Sequence, residues 1–211
     1  WWAGVDNIEI VGFGSGTNVV LETFDNCSLP NAWTMEAQEG VALWQLGLVN
    51  NGNSDATSMN GSCFAYFDDD GLGESAPFSS SLLVSEPFSG VDYANFTLEF
   101  ELIFRKYAEF EQVSVWVWDG TEARLAETFA EDVGGPQFDV YEKVQVDLSP
   151  FRSQSMQVIF AYFDGQAWGW WVGIDNVKIT GDGEINDLCI NAFDLNTGED
   201  CLSGNNLNAI F

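Results

Sequence analysis

The sequence predicts an all-β domain of two packed antiparallel sheets, on three observations. Phe96, Leu98, Phe100, Leu102 and Phe104 alternate with Thr97, Glu99 and Glu101, the period of a strand buried on one face. Val113, Val115 and Val117 alternate with Trp116 and Trp118 in the same way. The remaining apolar segments are short, end at turn residues and carry little helical periodicity, which is the pattern of a β-sandwich.

In chain order, a Gly-rich bridge over 12–16 precedes a first strand expected at 18–24. Residues 25–33, with Pro30 and Asn31, read as a loop. The Asn-, Gly- and Ser-rich stretch 50–62 reads as a long surface loop. The apolar run 62–67 is a short strand that stops at Asp68-Asp69-Asp70-Gly71, and 82–88 is another, with Pro87 at its exit. The two alternating strands follow, the second reaching 118, where Asp119-Gly120 supplies a turn. One helical turn is expected around 125–131, and further strands at 140–148 and 156–163.

The closing stretch has a counterpart at the start of the chain. Trp170-Trp-Val-Gly-Ile-Asp-Asn-Val-Lys-Ile-Thr-Gly181 aligns without a gap on residues 1–12, identical at seven of twelve positions. A fixed-offset echo is read first as a repeated unit. Residues 1–16 are therefore expected to be the last strand of a preceding module plus linker. Residues 17–181 form one sandwich, and 182–211, where the texture changes, the start of a following module. In an unbroken closing strand Val172, Ile174 and Asn176 face one way; Trp171, Gly173, Asp175, Val177 and Ile179 face the other.

Composition sets limits on function. The 211 residues are 46% hydrophobic and 15% aromatic, enough for a sizeable core. Acidic residues number 33 against 6 basic, a net charge of −27. Such a chain repels phosphate backbones and anionic lipid, so nucleic acid and membrane surfaces are not expected as partners. No apolar run reaches the roughly twenty residues of a membrane-spanning helix. With no histidine, Ser-His-Asp and Cys-His nucleophiles and imidazole-bearing zinc sites are excluded too.

Cys27, Cys63, Cys189 and Cys201 are too widely spaced for zinc or iron–sulfur motifs. An even count in an acidic chain reads as two disulfides, and pairing within each expected module gives Cys27–Cys63 and Cys189–Cys201. The compartment is then oxidising: secreted or on the cell surface. Asn26, Asn60 and Asn95 stand in glycosylation sequons that fit it.

Among the carboxylates, Asp68, Asp69 and Asp70 are the strongest metal candidates. Calcium takes about six to eight hard oxygen ligands on a backbone free to bend. Three acids at a strand end, followed by Gly71 and Gly73, offer that combination, and on an extended chain Asp68 and Asp70 converge. Glu99 and Glu101 share a strand face, as some glycosidase pairs do, but read as a solvated outer surface, as do Glu109 and Glu111. Trp116 and Trp118, opposite three valines, either pack under a neighbouring strand or loop or form a stacking platform for sugar rings. Trp168, Trp170 and Trp171 read as core or inter-domain packing.

Glu22-x-Phe24, Leu29-Pro30-x-x-Trp33, Ala65-x-Phe67-Asp-Asp-Asp70, Leu82-Leu-Val-Ser-x-Pro-Phe88 and Trp171-Val-Gly-Ile-Asp-Asn-Val177 occur in that order. Together they resemble the MAM-like, cleaved-adhesin and choice-of-anchor J modules of secreted bacterial multidomain surface proteins. The resemblance covers residues 17–181. It implies a two-sheet antiparallel jelly-roll β-sandwich, stabilised by calcium and acting without catalysis in adhesion or assembly of a tandem-repeat surface protein. It adds Glu22 and Asp175 to Asp68, Asp69 and Asp70 as calcium ligands, and carries over no ligand pocket. Expected partners are neighbouring modules or copies of the same protein, with residues 1–12 docking as an added strand, and surface glycans or proteins. The alternative is a carbohydrate-binding or accessory module of a secreted enzyme; a hydrolase using carboxylates alone is a third reading.

Overall fold

Residues 17–48, 61–135 and 140–184 are described by a computed structural model, and they form eleven strands in two antiparallel sheets. The echo at 1–12, the loop at 50–60, Cys189, Cys201 and residues 185–211 lie outside the described residues.

The first sheet holds β1 (Thr17–Glu22), β3 (Gln45–Gly47), β4 (Phe64–Asp68), β6 (Tyr93–Arg105), β9 (Glu142–Asp147) and β11 (Trp171–Glu184). Its order is β3-β4-β11-β6-β9. β11 is long enough to seat two strands end to end on one edge: β4 pairs with residues 171–174 and β1 with 177–181. The second sheet is β2 (Thr34–Glu39), β5 (Ser80–Val84), β10 (Gln157–Phe163), β7 (Gln112–Trp118) and β8 (Ala123–Phe129), in that spatial order. A single helical turn, α1 (Asp69–Leu72), follows β4. The expected jelly-roll-type sandwich is thus the observed architecture.

The core lies between the sheets. From β6 come Phe96, Leu98, Phe100, Leu102 and Phe104, all buried, facing Val113, Val115, Val117, Val158 and Phe160 of the second sheet. Phe100 meets Phe160 edge-on at 5.1 Å, and Phe67 stacks on Tyr162 at 4.5 Å, so aromatic pairs bridge the layers. Period-two alternation was enough to locate this surface, because in a strand one face is either buried or not.

Where the expectations differ from the structure, a non-local cause can be named. β11 carries a bulge between Asp175 and Lys178, with Asn176 at φ 51°. The extra residue flips the phase of the strand. Val172 and Ile174 face the core before it and Val177 and Ile179 face the same core after it, whereas an unbroken strand would have separated them. The strand also continues past Gly181 to Glu184. Residues 125–131 contain no helical turn; 123–129 are β8, paired to β7 through a turn in which Asp119 Oδ1 accepts N–H bonds from Thr121 and Glu122. β2 escapes notice in the sequence because it is a polar edge strand, exposed along most of its length. The first strand ends at Glu22, since Phe24 at φ 51° turns the chain inward to pack on Trp33.

Cys27 and Cys63 are joined, with Cα atoms 5.2 Å apart, tying the β1–β2 loop to the start of β4.

Candidate functional site

The five acids expected around calcium fall into two groups, one at the start of β11 and one near its middle. Asp68 pairs with Trp171, while Glu22 pairs with Val177. At about 3.3 Å per residue these positions lie roughly 15–20 Å apart.

Asp68, Asp69 and Asp70 do not stay extended; they enter α1. Asp68 Oδ1 accepts the Gly71 N–H at 3.0 Å, and the N–H groups of Asp69 and Asp70 both donate to Trp170 O. Asp69 Oδ2 accepts the Gly169 N–H at 2.6 Å. Burial pushes the Asp69 carboxyl up from its ordinary range; the Gly169 bond opposes this, and the Asp164 and Asp68 charges add to it. Asp68 Oδ1 thus caps its own helical turn, and Asp69 Oδ2 braces the β10–β11 loop.

Asp175 is different. It is completely buried at the β11 bulge, opposite Glu101 on β6. Its Oδ1 accepts the Asn176 N–H at 2.8 Å, and its Oδ2 has no hydrogen-bond partner. Burial raises its carboxyl to about 6, held back by the Asn176 bond and helped by the Glu101, Asp25 and Glu22 charges. A hard cation suits that orphaned oxygen and its acidic neighbours. Among the described residues, however, no three acidic, cysteine or histidine side chains form a ready-made metal cage.

Glu99 and Glu101 line a groove of about 360 Å³ on the outer face of the first sheet, with Lys143, Gln145, Asn176 and Lys178. Each is already engaged. Gln145 donates to Glu99, Lys178 lies 3.8 Å from it, and Asn176 Nδ2 donates to Glu101 at 2.6 Å. That is the solvated outer surface expected of them.

Glu111 is not part of such a surface. It is fully buried at one end of the sandwich. Its Oε2 accepts the N–H groups of Tyr107 and Ala108, and its Oε1 accepts the Trp170 N–H and the Tyr162 hydroxyl. Desolvation pushes this carboxyl above its ordinary range while the four donors pull it down. Nothing local in Glu109-Phe110-Glu111-Gln112 distinguishes one glutamate from the other; the fold decides by closing the β10–β11 loop over Glu111.

Trp116 and Trp118 stand on the outer face of β7, half-exposed, with Trp116 Nε1 donating to Ser114 Oγ at 2.9 Å. By register Trp116 lies beside Ile159 of β10 and Leu125 of β8, and Ile159 beside Val84 of β5. Leu125 is 51% exposed, so this face of the second sheet presents an indole-centred apolar strip. Trp171 is buried as expected, but Trp168 and Trp170 are half-exposed beside Tyr107.

No family model matches the chain, and no curated protein matches it in sequence. Solved structures do share its fold. The K3 cleaved adhesin domain of Lys-gingipain from Porphyromonas gingivalis superposes with a TM-score of 0.57 at 20% identity, over 80% of this chain and 100% of that one. The K1 domain of the same protein gives 0.53 at 17% identity, over 80% and 100%. A carbohydrate-binding module, TmCBM61, solved with β-1,4-galactotriose, gives 0.50 at 12%, over 76% and 95%. At these identities the likeness is one of fold.

Proposed function

We propose that this chain is a non-catalytic extracellular adhesion module that grips surface glycans through the outer face of its second sheet. The observation that carries the reading is the Trp116/Trp118 pair, held on β7, paired on both sides by β10 and β8, with both indoles half-exposed. Indole faces suit the apolar faces of pyranose rings, and a sheet-borne platform loses little entropy on binding. The shared fold of cleaved adhesin domains and a galactotriose-binding module is consistent with it. The Cys27–Cys63 bond supports an oxidising compartment, and no helix among the described residues is long and apolar enough to cross a membrane. The engagement of Glu99 and Glu101 by Lys178, Gln145 and Asn176 favours a surface role over hydrolysis.

A structural calcium ion belongs to the same reading, at Asp175 and Glu22 rather than at Asp68–Asp70. Its role there would be to neutralise a desolvated carboxylate and hold the first and last strands together.

Calorimetric titration with neutral oligosaccharides tests the glycan reading. Binding that weakens at least tenfold in Trp116→Ala and Trp118→Ala supports it, and undiminished binding in both overturns it. Assembly with a neighbouring module or a second copy is the other reading, favoured by Leu125 at 51% exposure beside Trp116. Self-association without sugar that is lost in Leu125→Glu would select it.

A further inference from the structure

Three exposed aromatic side chains, Phe78, Tyr107 and Phe110, gather at one end of the sandwich, 53%, 57% and 66% exposed. The loops that carry them are cross-braced: Ser79 N–H donates to Asp164, and Glu111 binds Tyr107, Ala108 and Trp170. Tyr107 lies 5.1 Å from the Trp168 ring, inclined by 57°, and 5.1 Å from the Trp170 ring, inclined by 35°. The Arg105 guanidinium sits 4.0 Å over Trp170. Beside Phe110 in the same loop lies a cavity of about 390 Å³, lined by Glu109, Gln112, Ala130 and Phe163.

We infer that this loop end is a second sugar-stacking site, taking a neutral pyranose at the end of a glycan chain. The inclined rings make a cup rather than a flat strip, which suits one terminal residue, where the sheet face suits the length of a chain. Charge narrows the ligand from both sides. The net −27 of the chain repels anions, and Arg105 already fills the cation-accepting face of Trp170, with Lys106 next to it. A neutral ring with hydroxyls is what remains; Glu109 and Gln112 carry hydrogen-bonding groups in the cavity beside Phe110.

Glu111 is a positioning residue for this cup. A buried carboxylate costs desolvation, and here it secures three main-chain donors from two loops. Its neighbour confirms how tight the brace is: a Cβ added at Gly169 would stand 2.6 Å from Glu111 Oε1. Glutamine has only one acceptor oxygen, so Glu111→Gln must release donors on one side and loosen the cup without removing a stacking ring.

The inference does not depend on the sheet-face reading. The full chain and its variants are titrated with neutral gluco-, galacto-, manno- and xylo-oligosaccharides, followed by tryptophan fluorescence and calorimetry, with circular dichroism to confirm folding. Tyr107 is exposed, so Tyr107→Ala leaves the core intact. Binding of at least one sugar that falls tenfold or more in Tyr107→Ala and Trp168→Ala, and severalfold in Glu111→Gln, while persisting in Trp116→Ala/Trp118→Ala, is the expected result. Binding unaffected by Tyr107→Ala and Trp168→Ala overturns the loop-end site, as does the absence of any bound sugar. Loss only in the Trp116 and Trp118 variants leaves the sheet-face reading standing and removes this one.

Discussion

Asp175 of β11 faces Glu101 of β6 across the strand pair, fully buried, with one carboxylate oxygen bonded to the Asn176 N–H and the other bonded to nothing. A desolvated acid beside other acids is a standing cost to the fold. It has a pH signature. The Asp175 carboxyl is raised to about 6 in the folded chain from an ordinary value of 3.8. A folded value above the unfolded one means a contribution that is fully present below the unfolded value and is lost as pH rises through about 6. Roughly two units correspond to about 3 kcal/mol as an upper figure. In chelator, the urea midpoint should therefore be higher at pH 5 than at pH 7.5. Asp69, Glu111 and Asp164 are also raised by burial and slope the same way. Asp175→Asn should flatten part of the slope; an identical slope in the variant would show that Asp175 is not its source.

Calcium acts on the same residue in the opposite sense. At about a hundredfold excess over its dissociation constant a bound ion stabilises by about 2.7 kcal/mol. Thermal unfolding at pH 7.5 should shift upward in millimolar calcium and return with chelator. The shift should vanish in Asp175→Asn, diminish in Glu22→Gln and persist in Asp68→Asn. An unchanged midpoint in the parent chain discards the ion.

The bulge makes a separate prediction about Asn176, whose φ of 51° is tolerable for asparagine and glycine but not for a β-branched residue. Asn176→Gly and Asn176→Val both lose the bond to Glu101. The valine variant should be less stable than the glycine variant by about 1–2 kcal/mol, read from urea unfolding. Equal stability would mean that the backbone does not hold that conformation.

The disulfide closes a separation of 36 residues between Cys27 and Cys63. On the chain-entropy account its removal should cost about 3–4 kcal/mol. Cys27→Ser/Cys63→Ser, measured against the parent chain with and without reductant, checks this. Free thiols at Cys27 and Cys63 in the unfolded, unreduced parent would contradict the bond.

Phe160 and Trp116 separate core from surface on neighbouring strands. Phe160, buried and edge-on to Phe100, should cost about 3–5 kcal/mol on truncation to alanine. Trp116→Ala, from a half-exposed position, should cost clearly less while weakening glycan binding at the sheet face. A Trp116 variant as unstable as the Phe160 variant would make the indole a packing element.

Alternation in 96–104 and 113–118, turn chemistry at Asp119-Gly120 and the pairing of Cys27 with Cys63 were readable without coordinates. Each depends on residues near one another in sequence or on a simple count. The inward faces of β6 and β7 follow directly, because a strand has only two sides and the apolar one turns to the core. The sequence could not tell Glu109 from Glu111, or Asp69 from Asp175. Their surroundings come from other strands.

What the sequence by itself determined, then, is the class of fold, the strands that build its core, the acidic surface and the cystine. Only the tertiary structure decided that β11 changes phase at Asn176, that Asp175 lies with Glu22 and far from Asp68, and that Tyr107 meets Trp168 and Trp170 over a buried Glu111. The physical reason is register. Local patterning chooses which face of a strand is apolar, but one inserted residue or one loop closure chooses which side chains meet, and those choices are made by contacts between segments distant in the chain.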